Sequence, residues 1–73
     1  MEINSLKDIG AVIRQRRKRE KMTIEMLAAM VPCSPRLLGE LERGTRNVSF
    51  GQILNICKLL GINLTAKGRE EDN

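Results

Sequence analysis

Histidine, tryptophan and tyrosine are absent from this 73-residue chain, and phenylalanine occurs once, as Phe50. Without histidine the chain lacks the commonest general base and metal ligand at neutral pH. With no tyrosine and no nucleophile placed beside a base, an enzyme is not expected, nor is any cofactor or metal. The scarcity of aromatics argues against single-strand nucleic-acid binders, which stack bases on aromatic platforms. Cysteine occurs only as Cys33 and Cys57, far apart and without a CxxC pair. A zinc site is therefore not expected, and both read as small buried apolar residues of a reducing compartment. No apolar run approaches the roughly 18 residues needed to span a bilayer. The opening stretch MEINSLKDIG lacks the basic and apolar regions of a signal peptide. The expected location is the cytoplasm, with no membrane partner.

What is present is globular. Apolar residues make up 41% and charged residues 30%, with two prolines and no low-complexity tract, so one folded domain is expected rather than disorder. A domain of this size buries only about 60% of the surface its unfolded chain exposes, so a second subunit would help its stability. The net charge is +4, but Glu70, Glu71 and Asp72 crowd the last four positions. Residues 1–69 thus carry thirteen basic against six acidic side chains. Such a balance favours a polyanionic partner, nucleic acid above all, and also suits an acidic protein or a membrane surface.

Four helix starts are written into the chain, each agreeing with the apolar spacing that follows it. Ser5, with Asp8 in the opening turn, heads a stripe of Ile9, Val12 and Ile13 that runs to about Glu20. Thr23 caps a helix over about 24–30, with Met22 and Leu27 placed as a hydrophobic staple. Ser34 caps a third, with Pro35 at its first position, where a missing N–H costs nothing, and Cys33 and Leu38 as the staple; Gly44 ends it. Ser49 begins a fourth, in a box where Gln52 can reach back to the cap and Val48 faces Ile53; Gly61 stops it after Ile53, Ile56, Leu59 and Leu60. Between the second and third helices stands only VPC, a connection suited to a helix-turn-helix corner. Past Gly61, Ile62, Leu64 and Ala66 alternate as in a short strand, or belong to a frayed coil ahead of the acidic tail. A strand there would need its mate from a second copy of the chain.

From Ile9 to Ile62 the chain resembles the Cro/C1-type (XRE) helix-turn-helix regulators of bacteria and phages. The likeness is carried jointly by IGAVIRQRRKREKMT at 9–23, Thr23 with MLA at 26–28, LGELERG at 38–44 and RNVSFGQILNICKLLGI at 46–62. It implies an all-α, compact four- to five-helix domain over residues 5–62, with its helix-turn-helix motif at about 23–43. Residues 63–73 are left for a dimerisation strand and acidic tail. In that family the second helix of the domain lies across the DNA backbone and the third enters the major groove with its N-terminal residues towards the bases.

By position, Ser34, Pro35, Arg36, Leu37 and Glu40 would face the groove. Arg36 is the best reader among them, since a guanidinium binds guanine O6 and N7 bidentately. Glu40 suits either a cytosine amino group or, preferably, an internal pairing with Arg36 or Arg43. Phosphate contacts would come from Thr23, Arg43 and the loop Thr45, Arg46 and Asn47. Arg17 and Glu42 match an ion pair that fixes the third helix against the first in several relatives. The first helix mostly points away from the groove in this family, so the dense run RQRRKREK at 14–21 reads mostly as a solvated face, with long-range attraction to DNA and a phosphate contact from its end as lesser roles. Two positions depart from the family pattern: Ile24 stands where glutamine is usual, and Pro32 replaces the usual turn glycine.

The implied function is a dimeric, sequence-specific double-stranded DNA-binding regulator acting as a repressor. The fourth-helix signature followed by a strand is also similar to HipB-type antitoxins, which repress their own operon and bind a toxin protein. A helix-turn-helix module that binds proteins without reading DNA is the other class, with Ile24, Pro35 and Glu40 as its supporting features.

Overall fold

The structure, a computed structural model, describes residues 3–65. These residues form four helices: α1 (Leu6–Arg19), α2 (Ile24–Met30), α3 (Pro35–Arg43) and α4 (Phe50–Leu60). The all-α expectation holds. Every cap residue read from the sequence acts as one. The Ser5, Thr23, Ser34 and Ser49 side chains accept from the backbone N–H groups of Asp8, Met26, Leu37 and Gln52, respectively, at 3.0–3.3 Å. Each satisfies one of the donors that a helix start leaves orphaned. Met22, Cys33 and Val48, each just ahead of a cap, are half-buried against the core to which Leu27, Leu38 and Ile53 belong. Gln52 contributes its backbone N–H to the Ser49 cap, but no return bond from its side chain forms.

Helix ends are equally local. Gly44 (φ 72°) and Gly61 (φ 69°) take the left-handed conformation, and the following N–H groups of Thr45 and Ile62 donate back to the carbonyls of Glu40 and Cys57. The end of α1 has the same bonding without a glycine: Lys21 sits at φ 58°, its N–H bonds Lys18 O, and Met22 N–H bonds Arg17 O. These three are the only positive-φ residues among those described. The turn at 31–34 therefore contains none, which is why Pro32, whose ring requires a negative φ, can replace a glycine there.

Ile9 and Ile13 from α1, Leu27, Ala28 and Val31, Leu38 and Leu41 from α3, and Ile53, Ile56, Cys57 and Leu60 from α4 make one core. α1 packs chiefly on α3 and also on α4, while α2 packs on α3. Gly10 sets how closely α1 and α3 approach. A Cβ at this position would collide with the carbonyl oxygen of Leu41 and come within 2.8 Å of that of Glu42. At the far end of α1, Arg16 Nε donates to Leu60 O at 2.9 Å, satisfying a carbonyl in the last turn of α4.

The C-terminal stretch differs from a strand as far as it is described. Residues 62–65 have no strand conformation, and Ile62 and Leu64 are partly buried against the chain's own core. Two members of the alternation that suggested a strand thus pack within the chain. Ala66 and the acidic tail lie outside the described residues.

Candidate nucleic-acid interface

The two cap hydroxyls of the helix-turn-helix pair are exposed. Thr23 and Ser34 each use an oxygen lone pair on the cap bond, so the hydroxyl hydrogen remains to donate outward to a phosphate or a base acceptor. Beyond Ser34, α3 is two-faced. Leu38, Gly39, Leu41 and Glu42 are buried, whereas Pro35, Arg36 and Arg43 are exposed and Leu37 and Glu40 lie half-buried at the edges. The side chain of Arg36 is 86% exposed.

Glu40 lies between two arginines. Its Oε1 accepts from Arg46 Nη1 at 3.3 Å, and its Oε2 is 3.8 Å from Arg36 Nε, a charge contact too long for a hydrogen bond. Its second cationic neighbour is therefore Arg46 from the loop. Arg43 instead extends across Gly39, where its Nη1 would lie 3.4 Å from a Cβ. Thr45 is exposed but bonds back to α3: its hydroxyl donates to Glu40 O at 3.2 Å and its N–H to the same oxygen at 2.9 Å. A hydroxyl so engaged has no hydrogen left for a phosphate; Arg46, exposed but bonded to Glu40, and the exposed Asn47 are the other polar groups of this loop. Ile24 is half-buried against the core, so the departure from glutamine replaces a polar surface group with packing.

The aim of α3 is set from behind. Arg17 Nε and Nη2 donate to the Glu42 carboxylate at 2.7 and 3.0 Å, a bidentate fork, and Nη1 donates to Met22 O at 2.7 Å. Both residues are buried. The hydrogen bonds to Glu42, aided by its charge, raise the Arg17 pKa above its ordinary value despite the opposing cost of burial. Two cysteines complete the interior. Cys57 is buried and Cys33 half-buried, and burial pushes both thiols up, away from the reactive thiolate.

The charged run at 14–21 divides by position on α1. Arg17 is in the core pair, Arg16 is bound to Leu60, and Arg19 lines a hollow beside Gly61. Arg14 and Lys18 take a different direction. With Lys7 they border an open groove of about 540 Å³ that ends at Arg43. Arg14, Lys18 and Lys7 are exposed, as a solvated face requires, and the spacing of positions 7, 14 and 18 puts the three cations on one stripe of the helix.

The family model for the helix-turn-helix domain matches residues 8–67. The chain belongs to this helix-turn-helix family. The match spans all four helices and agrees with the resemblance to Cro/C1-type regulators, and helix-turn-helix membership points to DNA-binding regulation. Domains of this kind are typically not enzymes. No curated protein matches the chain. No helix among the described residues is long and apolar enough to cross a membrane.

Proposed function

We propose that this helix-turn-helix protein is a dimeric, cytoplasmic repressor that binds a specific double-stranded DNA site. The observation that carries this reading is the division of α3. Its inner face is anchored by Leu38, Leu41 and the Arg17–Glu42 fork, while Ser34, Pro35 and Arg36 stand at its exposed N-terminal end. In this reading Arg36 makes the principal base contact and Leu37 and Pro35 contribute apolar contact, as to a thymine methyl. Thr23, Arg43, Arg46 and Asn47 hold phosphates. Two copies would set their α3 helices in successive major grooves, about 34 Å apart on a pseudo-palindromic site.

Binding to the protein's own promoter DNA and to random duplex, measured across a salt series, tests the proposal. A regulator shows at least about a thousandfold preference for its site and an affinity that falls steeply with salt. Equal, weak affinity for both duplexes would instead leave a protein-binding module. Sedimentation of the free and DNA-bound protein tests the dimer: one copy per site would remove it.

A further inference from the structure

Of the groove between α1 and the end of α3 the reading above uses only Arg43; its α1 side is unassigned, and its chemistry is that of a polyanion site. Lys7, Arg14 and Lys18 fall on one stripe of α1, spanning about 16 Å of helix. Arg43 closes the groove from α3. Its only acid is Glu42, whose two carboxylate oxygens are already taken by Arg17, so little negative charge offsets the four cations. Among the described residues neither Arg14 nor Lys18 has a salt-bridge partner, and both are exposed.

The groove is also continuous with the reading face. Arg36, Glu40 and Arg43 share the outer stripe of α3 at helical spacing. From Arg43 a smaller hollow of about 150 Å³ leads to Arg14 across Gly39 and Ile24. The absence of a side chain on Gly39 lets the Arg43 guanidinium lie close to the helix, beside the hollow that Arg14 also lines. Ile24 supplies no polar group, and the acid that lines this hollow, Glu42, is bound by Arg17, so an anion seated there is held by Arg14 and Arg43.

We infer that this groove is a second DNA-backbone site, in which Arg14, Lys18 and Arg43 bind phosphodiester groups flanking the segment read by α3, with Lys7 extending the track. The inference rests on the DNA-binding reading and adds α1 to the contact surface. Backbone contacts of this type carry no sequence information; they add affinity and fix the register in which α3 docks.

The test uses the full chain, promoter and random duplexes, and two charge-matched variants. Arg14→Gln with Lys18→Gln removes two cations from the groove; Arg19→Gln with Lys58→Gln removes two from other surfaces. All four positions are exposed, and circular dichroism melting checks that both variants fold. The groove variant is expected to weaken binding equally on both duplexes and to flatten the slope of log affinity against log salt by nearly two, about 0.9 for each phosphate no longer neutralised. The control variant should change the slope by a fraction of that. If wild type binds and the two variants behave alike, the groove is no site and only net charge matters. If the groove variant keeps wild-type affinity and slope, the cations serve an acidic protein or nothing, and the inference fails while the DNA reading stands. Absence of salt-dependent duplex binding by wild type defeats both.

Discussion

Glu40 and Glu42 stand two positions apart on α3, and each meets an arginine, yet the two pairs differ in every physical respect. Arg17 and Glu42 form a fork at 2.7 and 3.0 Å with side chains 8% and 3% exposed. Arg36 and Glu40 approach to 3.8 Å with side chains 86% and 22% exposed. Two residues along a helix is a rotation of about 200°, enough to turn one carboxylate into the core and the other outward. In the buried pair each group has lost its water and depends on the other. In the exposed pair water screens both charges, the attraction amounts to a few tenths of a kcal/mol, and Arg36 stays free to leave for a better acceptor. The same two residue types thus hold α3 on one side and leave the Arg36 side chain available on the other.

The largest expected effect breaks the buried pair. Glu42→Gln strands the Arg17 charge and should cost about 3 kcal/mol or more, lowering Tm by roughly 10 °C or more in a domain of this size. Replacing both partners together with apolar residues of similar volume should recover much of that loss, and a double variant as unstable as the single one would show that the fork itself is indispensable. Gly10→Ala comes next. A methyl group directed at the Leu41 and Glu42 carbonyls must push two backbones apart, so a loss of about 2 kcal/mol is expected even though alanine favours helix. A chemical denaturation midpoint at or above wild type would mean that α1 and α3 can separate without cost.

On the exposed side the readout moves from stability to binding. Arg36→Ala should leave Tm within about a degree or two, since little is lost on the surface. It should remove about 1–3 kcal/mol of discrimination at one base position. Uniform weakening on every sequence would reassign Arg36 to phosphate. The smallest effect is a gain: Lys21→Gly relieves a left-handed lysine at the end of α1 and should raise stability by about 0.5–1 kcal/mol. Thermal melts of the two proteins side by side would show it, and an unchanged or lower Tm would indicate that the lysine bears no strain.

These sites also mark what was legible in the sequence. Cap chemistry is local, so Ser5, Thr23, Ser34 and Ser49 could be read as starts and Gly44 and Gly61 as stops without any knowledge of packing. The stop after α1 carries no glycine, and nothing in the stretch REKM announces that Lys21 adopts φ 58°. Gly10 reads as a weak point in a helix until α3 is seen against it. The approach of Arg17 to Glu42, 25 residues away, follows from the resemblance and from no periodicity in the chain. Loop side chains were least accessible. That Arg46 turns back to Glu40, that Thr45 spends its hydroxyl on a carbonyl, and that Arg43 lies over Gly39 depend on backbone paths that residue types do not specify. The groove on α1 was visible as a spacing but hidden by the density of charge around it.

Gly10 has a consequence for the duplex as well as for the protein. With backbone against backbone at Gly10 and a bidentate fork about two turns further along α1, α1 and α3 are held together as one stiff unit. If that unit reads DNA as proposed, the work of fitting falls to the duplex. Operators whose central steps twist or bend at low elastic cost would then be favoured at base pairs that no side chain touches.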